Sequence, residues 1–193
     1  MSDISNTISI IGLGGEGIRA LDILYEKAGE LCQFVECDTD RDALESGKAP
    51  LKLYLCEDPQ AIDVLLDSTA QRLFIICVLG GATASTYAPL LARKAKEKGK
   101  TVWAVIAIAP DKADEEAANF SYLELHDEAD YVQMINSHLL SLCFLHRPKD
   151  KALMGILAQM LADETERLVT ERIKVNSLFD EIKRKLDILL EEG

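Results

Sequence analysis

Residues 7–21 read TISIIGLGGEGIRAL and residues 73–89 read LFIICVLGGATASTYAP. Each opens with an apolar run, turns through glycines and continues with helical periodicity, which predicts a buried strand, a tight turn and a helix. In the first stretch Gly12, Gly14 and Gly17 satisfy G-x-G-x-x-G, with Gly15 between them. Glycine lets the backbone take positive φ and approach a phosphate closely, and the free N–H groups at the start of a helix supply partial positive charge. Asp38 ends the next strand-like run, where a dinucleotide fold places a ribose-binding carboxylate. Taken alone, that fingerprint serves an NAD-type cofactor or an empty tight turn. The second turn, Gly80, Gly81, Ala82, Thr83, Ala84, Ser85 and Thr86, is one that a dinucleotide fold does not need. Two such turns at two strand ends imply a phosphate chain held from both sides, with Thr83 and Ser85 adding hydroxyl groups.

Working outward, strands are predicted at residues 7–13, 33–37, 51–55, 73–79, 102–109 and 131–135. Helices with an apolar stripe and a charged back are predicted at residues 18–29, 59–68, 87–98 and 114–125. This alternation is the mark of an α/β domain, here a Rossmann-like three-layer domain with a mostly parallel sheet. The runs at 73–79 and 102–109 are rich in Val, Ile and Leu without alternation, as strands covered on both faces are. Gly99, after a run of lysines, has the residue type and dipole-matching cations of a helix C-terminus. From residue 149 onward the pattern is helical only, with a break near residues 174–177.

The chain has 193 residues, 48% of them apolar, enough for one substantial core and a single domain over residues 1–193. No apolar run approaches the roughly 18 residues of a membrane span, and no targeting segment precedes the first strand. A cytoplasmic protein without direct membrane insertion is expected. With 33 acidic against 21 basic side chains the net charge is −12, which repels phosphate backbones, so no nucleic-acid partner is expected. Five cysteines, Cys32, Cys37, Cys56, Cys77 and Cys143, form no CxxC pair and read as reduced core thiols. His126, His138 and His146 have no metal-ligand spacing, so no protein metal site is expected.

GGATAST followed by YAP resembles the GGGTGTGAAP of the tubulin and FtsZ superfamily of nucleotide-dependent filament proteins. The resemblance continues in family order. IGLGGEGIRAL is similar to the first phosphate loop, IGVGGGGGNAV; FVECDTDRDAL (residues 34–44) to FIAINTDAQAL; and residues 104–110 to the fifth strand and its proline. ADYVQMINSHLL (residues 129–140), which contains Asn136, is similar to VDTLIVIPNDRLL, and IKVNSLFDEIKRK (residues 173–185) to LINVDFADVKT. The resemblance implies a GTP- or GDP-binding domain, with any Mg²⁺ arriving through the nucleotide and water. Its site would use Gly12, Gly14, Gly15, Gly17, Arg19, Asp38, Gly80, Gly81, Thr83, Ser85 and Asn136. It also implies a long central helix at about residues 149–172, a catalytic-loop equivalent at 173–181 and a terminal helix. In the family that loop completes the neighbouring subunit's site, a head-to-tail contact that builds open filaments.

The departures fall where turnover is decided. Leu178 stands opposite the first acid of the family's loop, leaving Glu181, with Asp180 beside it, as the acids able to polarise water. The glycine-rich third loop has no counterpart in residues 56–72, CEDPQAIDVLLDSTAQR. Ala82, Ala84 and Thr86 replace three glycines and would be strained by about 1 kcal/mol or more wherever positive φ is required. Arg19 replaces an asparagine, and Gly155 and Ile156 stand where a polar pair reads guanine. Arg19 near a helix start opposes the dipole unless an anion lies beside it, whereas Glu16 repels phosphate unless it turns outward. Because the sequence ends at Gly193, neither the family's second domain nor its tail is expected. The reading is therefore an FtsZ/tubulin-like purine-nucleotide protein with weak or lost hydrolysis, acting in cytoskeletal or membrane-remodelling assembly through a protein partner or self-association. A scaffold with a decayed pocket and an NAD-type protein are the alternatives.

Overall fold

The computed structural model describes residues 8–28, 32–55, 60–108, 115–135 and 151–191, with backbone alone for Glu115 and residues 176–191. Its six strands are β1 (Ser9–Leu13), β2 (Gln33–Asp38), β3 (Leu51–Tyr54), β4 (Arg72–Leu79), β5 (Thr101–Ile108) and β6 (Tyr131–Met134). They form one sheet in the order β3-β2-β1-β4-β5-β6. All five pairings are parallel. The helices are α1 (Gly14–Ala28), α2 (Arg41–Ser46), α3 (Ala61–Ser68), α4 (Ala82–Glu97), α5 (Glu115–Glu128) and α6 (Lys151–Glu191).

Side chains of a strand alternate between its two faces, and β4 shows why its sequence is apolar throughout. Leu73, Ile75, Cys77 and Leu79 enter a core with α3, α4 and α5. Phe74, Ile76 and Val78 enter a second core with α1 and α6. The α/β three-layer architecture follows directly. At the end of α4, Gly99 takes φ 72°. Its N–H donates to the Lys96 carbonyl and the Lys100 N–H to that of Ala95, so the lysine-rich end is closed by the glycine turn its sequence announces.

Three differences from the sequence expectations have local causes. α1 begins at Gly14, directly after β1, and α4 at Ala82, after Gly80 and Gly81, because each glycine turn runs straight into its helix. α2 was not expected. Only six residues long, it lacks a periodic stripe, yet Asp40 caps it by accepting hydrogen bonds from the Asp42 and Ala43 N–H groups. The break expected at residues 174–177, and with it a loop at 173–181, is replaced by continuous α6, 41 residues and about 60 Å long. Between Gly155 and Gly193 there is neither proline nor glycine to end a helix.

The chain lays down β1, β2 and β3 in one direction, returns to place β4 beside β1, and continues outward through β5 and β6. The order therefore reverses between β1 and β4. In open parallel sheets, ligands bind in the crevice outside the carboxyl ends of the strands at this reversal.

Candidate functional site

Both glycine turns end the strands that flank the reversal, and they lie side by side. Gly14, at φ 74°, lies where an added Cβ would come within 3.8 Å of Thr83 and Ala84. Gly80 adopts φ 110°, and its N–H donates to the Ser85 hydroxyl at 2.8 Å, which shapes the second turn. Glycine is required at 14 and 80 because other residues rarely take these angles. Ala82, Ala84 and Thr86 have ordinary φ, so the conditional strain at these positions is absent.

The remaining glycines divide into two kinds. A Cβ on Gly12 would lie 2.7 Å from the Gly17 carbonyl oxygen, and one on Gly17 would lie 2.4 Å from the Ile76 carbonyl oxygen. These two glycines allow α1 to pack against β1 and β4. A Cβ on Gly15 or Gly81 would meet nothing within 4 Å. These two are open, and Gly81, the residue before α4, provides no side-chain cap for the helix. The first N–H groups of α4 consequently lack a side-chain acceptor and are suited to an anion.

Asp38 ends β2 and is only 3% exposed. Its Oδ1 accepts the Thr39 N–H at 2.7 Å, the Asp40 N–H at 3.3 Å and the Thr83 hydroxyl at 2.9 Å. Thr83 has one hydroxyl hydrogen, already given to Asp38, so the 2.6 Å contact between the Thr39 and Thr83 hydroxyls is donated by Thr39. This chain of bonds fastens the β2 end to the second glycine turn. Through its Oδ1, Asp38 is thereby tied to the second glycine turn. Thr39 was not singled out from sequence, although the DTD that follows β2 contains it.

Glu16 lies in the first turn of α1, where its charge suits the helix dipole. Its Oε1 accepts from Arg19 Nη1 at 2.9 Å. The other oxygen, Oε2, is buried and has no hydrogen-bond partner. Burial pushes the Glu16 carboxyl above its usual range, against the opposing pull of Arg19. The anion beside Arg19 is thus supplied by Glu16 itself. At the start of α6, Gly155 is open and Ile156 is 48% exposed. Asn136 lies outside the described residues, as do the side chains of Leu178, Asp180 and Glu181, whose backbone is helical. Cys32, Cys37 and Cys77 are buried free thiols, whereas Cys56 and Cys143 lie outside the described residues, as do His138 and His146.

No protein-family model matches the chain. It is 25% identical over 210 residues to cell division protein FtsZ 2 of Haloferax volcanii, covering 96% of this chain and 52% of that protein. It is 30% identical over 122 residues to cell division protein FtsZ of Aquifex aeolicus, covering 52% of this chain and 33% of the relative. An FtsZ dimer structure from M. jannaschii superposes with a TM-score of 0.73 at 22% identity, over 85% of this chain and 54% of that one. The chain thus has the fold of a tubulin/FtsZ nucleotide-binding domain. CetZ from Methanosaeta thermophila superposes with a TM-score of 0.69 at 16% identity, over 84% of this chain and 53% of that one. The chain spans about half the length, or less, of the curated relatives it matches. Among its described residues, no helix is long and apolar enough to cross a membrane. The strand order alone would also suit a dinucleotide fold. The second glycine turn and the engagement of Asp38 by Thr83 are features that the strand order does not specify.

Proposed function

We propose that this chain binds a purine nucleotide, GTP or GDP, at the carboxyl ends of β1 and β4, and that it turns the nucleotide over weakly or not at all. The observation that carries the reading is the close approach of the two glycine turns at the strand-order reversal. One polyphosphate can then meet Gly14 and Gly15 from one side and Gly81, Thr83 and Ser85 from the other. The open positions at Gly15 and Gly81 and the uncapped start of α4 fit a phosphate. A bound nucleotide would supply the phosphoryl group and carry its Mg²⁺. The protein's part is to orient the phosphates with backbone N–H groups, steadied by Asp38 through Thr83. Asn136 is the further nucleotide contact implied by the family resemblance.

Phosphoryl transfer depends mostly on positioning and charge, so loss of a positioning group lowers turnover while leaving binding intact. Leu178 at an expected acid, with helix where a loop was expected, supports weak turnover; Glu181 and Asp180 are the acids left to act. Ile156 offers no hydrogen bond to a base, so discrimination between guanine and adenine has to come from elsewhere. The M. jannaschii FtsZ is described as a dimer and a TubZ of Bacillus thuringiensis as protofilaments. By that likeness the chain self-associates or binds a protein partner in cytoskeletal or membrane-remodelling assembly in the cytoplasm.

The test is thermal shift and calorimetry with GTP, GDP, ATP and NAD, together with phosphate release at several protein concentrations. Guanine-nucleotide stabilisation with little release is the expected result. Release that rises with protein concentration would indicate an assembling GTPase. No response to any nucleotide would refute the reading and leave a protein-interaction scaffold, and preference for NAD would refute it in favour of a dinucleotide protein.

A further inference from the structure

Residues 16, 20, 23 and 27 share one face of α1, because helical neighbours lie three and four residues apart. Ala20 is fully buried in the core that includes Leu157, Ala158 and Leu161 of α6. Lys27 pairs with Asp163 at 3.2 Å and Glu166 at 3.0 Å, also on α6. This face therefore looks toward α6, and Glu16 stands at its head, directly after the open position of Gly15. There the carboxylate holds Arg19 at 2.9 Å and keeps one oxygen buried without a hydrogen-bond partner. The Arg19 side chain is itself 53% exposed.

We propose that Glu16 is the chain's own counter-anion at the first glycine turn, setting phosphate affinity by holding Arg19 in an ion pair that an incoming phosphate must share or break. The inference rests on the nucleotide reading and adds the residue that regulates it. A carboxylate close to the phosphates repels them, and the cation best placed to offset that repulsion is already engaged. Neutralising Glu16 removes the repulsion and releases Arg19 in one step.

The experiment is calorimetry of the full chain with GTPγS and, separately, with inorganic pyrophosphate. The proteins are the wild type, Glu16→Gln, Arg19→Ala and the double variant, with melting curves verifying that each is folded. Glutamine keeps the shape of the side chain, and Glu16→Ala provides a second neutral form. Glu16→Gln should bind both probes about tenfold more tightly or better, and Arg19→Ala should remove most of that gain in the double variant. Binding by the variant where the wild type shows none also supports the proposal. Wild-type binding that neutral Glu16 leaves unchanged or weakens overturns this inference alone. A gain that survives intact without Arg19 overturns the ion-pair mechanism. No binding of either probe by any folded variant overturns the nucleotide reading and this inference with it.

Discussion

Gly17→Ala separates the glycines that build the fold from those that line the cleft. Its Cβ would lie 2.4 Å from the Ile76 carbonyl oxygen, a backbone atom in the centre of β4 that cannot rotate away. Overpacking of this kind costs about 1–3 kcal/mol or more, and the entropy gained on replacing glycine by alanine returns only about 0.5–1 kcal/mol. A net loss of about 2 kcal/mol follows, or about 4–8 °C in Tm for a chain of this size. Gly15→Ala is the matched control, since its Cβ meets nothing within 4 Å and its φ is ordinary. It should be neutral or raise stability by about 0.5–1 kcal/mol, while placing a methyl group in the proposed phosphate cleft. Urea titration and thermal melting of both variants measure these changes. Equal destabilisation by both, or none by Gly17→Ala, would refute the division of roles.

Thr83→Val keeps the shape of the side chain but removes the hydroxyl donor from buried Asp38. It should lower stability by about 1.5–3 kcal/mol in urea unfolding, and a loss below about 0.5 kcal/mol would mean that the Thr39–Thr83–Asp38 chain does not fasten the cleft. Glu36 on β2 is fully buried and accepts the Ala49 N–H at 2.7 Å. Burial, and to a lesser degree the nearby Asp22 carboxylate, push its carboxyl up against the opposing pull of the Ala49 N–H and the Lys52 ammonium. A raised folded-state pKa means the stability from protonated Glu36 is complete below its ordinary value of 4.5 and is lost as pH rises through the folded value. Glu36→Gln should flatten this part of the stability-against-pH curve, and a difference curve without slope above pH 4.5 would contradict it. Burial raises the thiols of Cys32 to about 11 and Cys77 to about 12, with Cys37 also raised. Alkylation at pH 8 followed by peptide mapping should leave all three unmodified until the chain unfolds, and labelling of native Cys77 would show that β4 is not shielded as described.

The layered fold was legible because its signals are local. β4 and β5 read as buried strands from composition alone, since a parallel strand covered on both faces cannot afford polar residues. Gly99 marked the end of α4 through its own φ requirement. At residues 174–177 the helical pattern is interrupted, but no proline or glycine ends the helix there, and α6 runs through.

The sequence by itself determined that two glycine turns follow two buried strands, because backbone angle and side-chain polarity are properties of each residue. Only the tertiary structure decided what those glycines do: Gly12 and Gly17 admit a neighbouring backbone, while Gly15 and Gly81 leave space. It also decided that Asp38 is engaged by Thr83, 45 positions away, and that Glu16 keeps one oxygen buried without a partner. Such roles depend on which groups approach one another when parallel strands and helices pack. Residue spacing along the chain carries no measure of that distance.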